Sequence, residues 1–114
     1  MDQVSTYKQI VRRVIGQIAD MSPSDDEVDT QVIIDEEGGH YLLFSIGWER
    51  GSLREYSPFV HIDVKPDGKV WVQHDGTNLK IALMLAEAGI PKKHIVLGFR
   101  APFRREEMAE FAPG

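Results

Sequence analysis

His61, Asp63 and Asp75 are the residues whose types and spacing could most readily support chemistry. His61 and Asp63 lie two residues apart in a β-rich segment, so both side chains point to one face of a strand. Asp75 ends the next strand, on the same predicted face. Imidazole and carboxylate groups bind zinc and related ions, so a metal-binding or small-molecule-binding regulator is one hypothesis. Because a third ligand at a recognisable spacing is missing, we favour a cross-strand network of hydrogen bonds and expect no metal or cofactor.

The segment His74 to Thr77, with sequence HDGT, combines a base, an acid and a hydroxyl in four residues. Neighbouring residues of a strand point to opposite faces, so adjacency alone does not make His74 and Asp75 a catalytic pair. A strand end, a glycine turn and a helix cap at Thr77 explain the same residues without chemistry. The chain also lacks GxGxxG, P-loop, HExxH and GxSxG motifs, and we predict that the protein is not an enzyme.

The two tryptophans invite different interpretations. Trp48 continues an apolar stripe of alternating residues, Leu42, Phe44 and Ile46, and is predicted to lie in the core. Trp71 falls opposite an apolar face, so it either lies under a helix or anchors a partner protein.

The elements that position these residues begin with a hairpin over residues 61–75. Pro66 presets φ in its turn and Gly68 accepts positive φ, which favours a three-residue loop of Pro66, Asp67 and Gly68. This loop predicts the cross-strand pairs Val64 with Val70, Ile62 with Val72, and Val60 with His74. The opposite face then carries the polar and aromatic residues His61, Asp63, Lys65, Lys69, Trp71, Gln73 and Asp75.

The rest of the chain predicts an α+β fold. Apolar residues from Tyr7 to Ile18 recur at helical spacing, and residues 21–27 form a polar loop. Strands are predicted over residues 28–35, 40–48, 56–65 and 69–75, and a second helix over residues 78–88. The second helix is apolar nearly all round, so it must be largely buried; a homodimer and a monomer with a well-covered helix both satisfy this. We therefore predict an antiparallel sheet of about four strands, two hairpins in a meander, packed by both helices.

The secondary structure of the last quarter of the chain is less clearly indicated by its sequence. Residues 91–99 fit either a short strand or an extended loop, and residues 100–114 suggest a helical turn anchored by Phe103 and Phe111. Basic residues also concentrate here, which raises direct DNA binding as an alternative function. The candidates for that contact are Lys92, Lys93, Arg100, Arg104 and Arg105. Glu106 and Glu107 neutralise part of this charge locally.

Composition limits the class of protein. The 114 residues form a single domain, 42% of them are hydrophobic and 27% are charged. The formal net charge of −5 disfavours autonomous DNA binding and makes a protein the expected partner. Cysteine is absent, which excludes disulfide and zinc-thiolate chemistry. Neither a signal peptide nor a membrane span is indicated, and we expect a cytoplasmic protein with no membrane contact.

Several short motifs together resemble the XisI family, known for the controlling factor of fdxN element excision in cyanobacteria. The matching motifs are GW (Gly47, Trp48), HIDVK (61–65), GKVWVQHDGT (68–77), GIPK (89–92), IVLGF (95–99), Pro102, Arg105 and EFA (110–112). The resemblance implies a small cytoplasmic XisI-like domain over residues 1–114. It also implies a companion protein, XisH, and a site-specific recombinase, XisF, in programmed DNA rearrangement.

The leading hypothesis from the sequence is therefore a non-enzymatic controlling factor for DNA excision. It would bind an XisH-like companion or a recombinase and contact DNA indirectly or weakly. The predicted partner contacts are His61, Asp63, Trp71, Gln73 and Asp75. A directionality factor that binds DNA, or a ligand-binding regulator, remains the alternative.

Overall fold

A mixed β-sheet with two helices packed on one face forms the fold; the computed structural model describes residues 2–22 and 27–114. The elements in chain order are α1 (Gln3–Met21), β1 (Val28–Asp35), β2 (His40–Glu49), β3 (Leu53–Val64), β4 (Val70–Asp75), α2 (Ile81–Glu87), a 3-10 turn (Lys92–His94), β5 (Ile95–Leu97) and α3 (Pro102–Glu107). The sheet order is β1-β2-β3-β4-β5. The predicted polar loop at residues 21–27 lies mostly outside the described residues. None of the described helices is long and apolar enough to cross a membrane.

The inner face of the sheet, defined as the face covered by α1 and α2, holds the core. Helix α1 contributes a buried stripe of five residues at the predicted helical spacing, Tyr7, Val11, Val14, Ile15 and Ile18. The sheet contributes buried residues from β2, β3 and β4, namely Tyr41, Leu43, Val60, Ile62, Val64, Val70 and Val72. Burial of this apolar surface is the main force holding the helices on the sheet.

The β3–β4 hairpin has the predicted three-residue loop. Gly68 adopts φ of +90°, and the N–H of Lys65 donates to the carbonyl of Lys69 at 2.9 Å. The pairs Val64 with Val70 and Ile62 with Val72 are confirmed. The predicted pair Val60 with His74 is wrong, because a β-bulge opposite the step from His61 to Ile62 leaves Gln73 as one extra residue in β4.

The bulge changes which face the end of β4 presents. His74 pairs with His61, and Asp75 pairs with the buried residue Val60. The prediction that Asp75 shares a face with His61 and Asp63 is therefore wrong. Its carboxylate instead accepts hydrogen bonds from the N–H groups of Thr77 at 2.9 Å and Ile81 at 3.0 Å, which fixes the turn into α2.

The apolar stripe of β2 lies on the opposite face from the one predicted. Tyr41 and Leu43 pair with Ile62 and Val60 and point into the core. By strand alternation, the stripe that ends at Trp48 lies on the outer face, and Trp48 is 51% exposed. The core prediction for Trp48 is wrong because the more apolar alternation of β2 faces outward; the register with β3, and not the apolar content of β2, decides which side chains enter the core.

Residues 95–97 form a fifth strand, which the sequence left open. β5 pairs parallel to β4, with Val70 opposite Ile95 and Val72 opposite Leu97. The sheet is thus mixed and five-stranded, although the four predicted strands do form the antiparallel meander. The connection through α2 allows the parallel pairing, since two parallel strands need a crossover.

Helix α2 is shorter and more exposed than predicted. It begins at Ile81 after Lys80, which adopts φ of +56°, and not at Asn78 behind a cap at Thr77. Ile81 and Leu85 are buried, whereas Leu83 is exposed, so only one side of the helix enters the core. Gly89 adopts the predicted positive φ after the helix, and the N–H of Ile90 donates to the carbonyl of Leu85 at 3.1 Å.

The C-terminal residues contain the predicted helical turn, α3, and return to the sheet. Phe111 packs against the core as expected, and the N–H of Ala112 donates to the carbonyl of Ile95 at 2.9 Å. Phe103 is exposed, so it does not anchor the turn.

Candidate functional site

A cluster of polar residues lies on the outer face of the sheet at the junction of β2, β3 and β4. We define the polar cluster as His40, His61, Asp63, Lys65 and Gln73. Asp63 is at its centre and is the one charged residue among the buried residues that the structure describes. Strand alternation places His61 and Asp63 on this face, and the β4 bulge places Gln73 beside them.

Asp63 is surrounded by donors. Its Oδ1 accepts hydrogen bonds from His40 Nδ1 at 2.7 Å and His61 Nε2 at 2.8 Å. Its Oδ2 accepts from Gln73 Nε2 at 3.1 Å, and Lys65 Nζ lies 3.8 Å from the same oxygen. A buried carboxylate needs such partners because removing it from water is costly. The expected hydrogen-bond network is therefore confirmed for His61 and Asp63, but its further members are His40 and Gln73 and not Asp75.

Burial and hydrogen bonding act on the Asp63 carboxyl in opposite directions. Burial favours the neutral acid, but the bonds from His40, Gln73 and His61 favour the carboxylate. Together they hold the pKa of Asp63 below its usual value. The carboxylate is therefore ionised at neutral pH and places a negative charge at a buried position.

His40 is the functional candidate that the sequence reasoning missed. It begins β2 directly opposite Asp63, and its ring meets that of His61 edge-on with 6.4 Å between centroids. The signal that could have found it is the register between β2 and β3. That register is shifted by a bulge beside Phe44, which leaves no trace in the apolar pattern of β2 alone.

Trp71 is covered by the C-terminal residues of the chain itself. The Arg105 guanidinium carbon lies 5.0 Å from the Trp71 ring centroid, and Gly98 approaches the ring so closely that a Cβ would stand 3.0 Å from Trp71 Cε3. Of the two interpretations open for Trp71, a helix cover fits best, because Arg105 belongs to α3.

A second feature of the outer face is an exposed group of aromatic side chains at the far end of β2 and β3. We define the aromatic patch as Phe44, Ile46, Trp48, Arg54 and Tyr56. The Arg54 guanidinium carbon lies 5.2 Å from the Trp48 ring and 5.5 Å from the Tyr56 ring. Tyr56 packs on Phe44 with 5.4 Å between centroids. Trp48 and Tyr56 are 51% and 63% exposed, which is unusual for side chains of this size.

The five basic candidates for DNA contact do not form one free surface. Lys92 Nζ lies 3.7 Å from a carboxylate oxygen of Glu110, and Arg104 pairs with Glu107 at the same distance. Arg100 and Arg105 lie over Phe99 and Trp71. Lys93 is exposed on the 3-10 turn. Local acids and rings therefore engage most of this charge, as a solvated surface does.

Comparison with known proteins identifies the family. The family profile described as XisI protein matches residues 1–113. No curated protein matches the chain. A solved XisI-like protein from Anabaena variabilis is 34% identical, with a TM-score of 0.88 over 96% of this chain and 98% of that one.

A second solved structure gives the same fold. It is the fdxN element excision controlling factor XisI from Anabaena variabilis, which is 32% identical with a TM-score of 0.84. The match covers 99% of this chain and 100% of that chain. A family profile that spans nearly all residues agrees with two whole-chain structural matches above 30% identity, and the chain belongs to the XisI family.

Proposed function

We propose that this protein is a non-enzymatic controlling factor for DNA excision, which acts by binding a protein partner. The excision half of the proposal comes from the similar Anabaena variabilis protein, an fdxN element excision controlling factor. The observation that carries the binding half is the aromatic patch, a surface with two large aromatic side chains more than half exposed.

The composition of the aromatic patch favours a protein ligand. Tryptophan, tyrosine and arginine are the residues that most often dominate binding energy in protein interfaces. Here Arg54 lies against both Trp48 and Tyr56, so the three side chains hold one another in place before a partner arrives. These side chains therefore lose less conformational entropy when a partner binds, which strengthens binding.

The charge of the chain favours a basic partner. The formal net charge is −5, while a protein that handles DNA must present positive charge to the phosphates. Opposite net charges raise the rate at which two proteins meet. An XisH-like companion or a site-specific recombinase fits this chemistry, and DNA would then be reached through the partner.

We further propose that the main partner contacts are Trp48 and Tyr56, and not Trp71 as the sequence predicted. The Trp71 ring is already occupied by Arg105, and both carboxylate oxygens of Asp75 accept hydrogen bonds within the chain. His61 and Gln73 are partly exposed and remain predicted contacts at the border of the interface. Asp63, like Asp75, is no longer a predicted main contact, because it is buried and both of its carboxylate oxygens accept hydrogen bonds within the chain.

The test is the affinity of the purified protein for the product of a neighbouring gene encoding an XisH-like companion. Trp48→Ala and Tyr56→Ala should each weaken binding by about thirtyfold or more, since central aromatic residues contribute about 2 kcal/mol or more. Phe103→Ala is the matched control, because Phe103 is 61% exposed on α3, away from the patch. Equal affinities for all three variants and the parent protein would contradict the proposal.

The isolated protein should not bind DNA. A mobility assay with duplex DNA at low salt is the most permissive condition, because phosphate contacts strengthen as salt falls. We expect no shift without the partner. A salt-sensitive shift that disappears on replacing Lys92, Lys93 and Arg100 by glutamine would instead support the directionality-factor alternative.

A further inference from the structure

Three ligand atoms of the polar cluster lie close enough to bind one metal ion. They are His40 Nδ1, His61 Nε2 and a carboxylate oxygen of Asp63, and all lie within 4.8 Å of one another. Two imidazoles and one carboxylate form a donor set that suits zinc and other first-row divalent ions, whereas Mg²⁺ and Ca²⁺ prefer oxygen alone. We propose that the polar cluster is a binding site for Zn²⁺ or a similar transition-metal ion.

His40 is the third metal ligand that the sequence analysis found to be missing. His61 and Asp63 alone are too few, and Asp75 is turned to the inner face by the β4 bulge. His40 supplies the missing ligand from the neighbouring strand, opposite Asp63. All three residues sit on paired strands, so their backbones are held in place before any ion binds.

The distances between Asp63 and the two histidines require only a small change on binding, and the two histidine nitrogens lie within 4.8 Å of each other. The two histidine nitrogens stand 2.7 and 2.8 Å from Asp63 Oδ1, as hydrogen bonds do. Tetrahedral ligands at zinc are separated by about 3.3 Å, given zinc–nitrogen bonds of about 2.1 Å. The rings therefore need to move back by about half an ångström. Each imidazole presents a lone pair to the ion by carrying its proton on the other ring nitrogen.

The surroundings suit an exchangeable site. The side chains of His40 and His61 are 46% and 32% exposed, so an ion reaches them from solvent and a fourth position stays open to water. Gln73 holds Asp63 Oδ2 at 3.1 Å and so orients the carboxylate, as outer partners of metal ligands do. Lys65 opposes a cation through its charge, yet its side chain is 41% exposed and can turn to solvent.

Untagged full-length protein in metal-free buffer provides the test, and it needs no partner or activity. Calorimetric titration should give one Zn²⁺ per chain, and Co²⁺ should produce the visible absorption bands of a low-coordinate site. His61→Gln and His40→Gln should each weaken binding by at least about tenfold. Lys65→Gln should strengthen it by about two- to fivefold, because a nearby positive charge is removed.

His74→Gln is the matched control, because His74 is exposed and pairs with His61 but is not among the three close ligands. It should bind zinc as the parent protein does. Absence of saturable Zn²⁺ binding and of Co²⁺ bands in the parent protein overturns the proposal, as does binding that survives both histidine variants or depends on His74. Circular dichroism shows whether each variant is folded. If His61→Gln does not fold, the zinc affinity of His40→Gln decides the test. The inference is independent of the proposed function, since partner affinity does not enter the test.

Discussion

Replacing Asp63 with asparagine tests whether the buried carboxylate stabilises the fold through its charge. The substitution keeps the shape of the side chain but turns one acceptor into a donor. The remaining carbonyl oxygen can accept either from Gln73 or from the two histidines, so one side of the network loses its bonds. His40 and His61 can recover hydrogen bonds from water because their rings are partly exposed.

The expected loss of stability follows from these contacts. A hydrogen bond to a charged group contributes about 1.5–3 kcal/mol, and an unpaired buried donor adds a similar cost. Because water can replace the hydrogen bonds that the histidines lose, the net loss of stability corresponds to about one such bond. Asp63→Asn should therefore lower the free energy of unfolding by about 2–3 kcal/mol near pH 7. Urea unfolding followed by circular dichroism measures this difference.

The difference should depend on pH with a definite sign. The pKa of Asp63 is lower in the folded chain than its reference value of 3.8. The stabilisation is therefore fully present above pH 3.8 and is lost as the pH falls through the folded pKa. Asparagine does not titrate, so the gap between the two proteins should narrow as the pH falls below 3.8 and through the folded pKa of Asp63.

Asp20→Asn is the control, because Asp20 is exposed near the end of α1. Its effect should stay within about 0.5 kcal/mol at either pH. The reasoning is refuted if Asp63→Asn is as stable as the parent protein near pH 7. A gap of constant size down to low pH would show that packing, and not charge, explains the loss.

Further substitutions test the fold around the site. Gly47→Ala should destabilise the protein by about 2–3 kcal/mol in thermal unfolding, because a Cβ would collide with the Glu27 carbonyl just before β1. Gly16→Ala should instead stabilise it by about 0.5–1 kcal/mol, because Gly16 lies within α1 and an added Cβ would meet no other atom within 4 Å. Trp71→Ala should lower the free energy of unfolding by about 2–3 kcal/mol and speed amide hydrogen exchange in the residues after Arg100. Unchanged exchange would contradict the packing of α3 on Trp71. Asp75→Ala should cost about 1–2 kcal/mol by freeing the turn before α2, and an unaltered melting temperature would argue against that role.

The sequence predicted the parts of the fold that follow from local pattern. The stripe of α1, the turn at Gly68 and the pairing of Ile62 with Val72 all rest on residue type and spacing within about twenty residues. The family resemblance was carried by the same local motifs and is confirmed by the profile match.

The errors arise where two strands must agree on a register. A bulge leaves no mark in the apolar pattern, yet it moves Asp75 to the inner face and sets His74 opposite His61. In strand β2 the alternation that ends at Trp48 is the more apolar one, so the pattern alone favoured the wrong face and could not show that Tyr41 faces the core.

The candidate site was predictable in part for the same reason. His61, Asp63 and Gln73 belong to one hairpin, and their grouping follows from its turn. His40 comes from a strand 23 residues earlier than Asp63 and joins the cluster through tertiary pairing alone. Strand β5 was similarly ambiguous, since a run of three buried residues has too few positions to show a period.

The central claim is that the aromatic patch of this XisI family member binds a protein partner. Hydroxyl-radical footprinting of the protein, alone and co-purified with an XisH-like companion, tests it most directly by reporting side-chain exposure. Oxidation of Trp48 and Tyr56 should fall in the complex, while that of the equally exposed Phe103 should stay unchanged. A stable complex in which Trp48 and Tyr56 are oxidised as readily as in the isolated protein, or failure of the two proteins to co-purify, would contradict the claim.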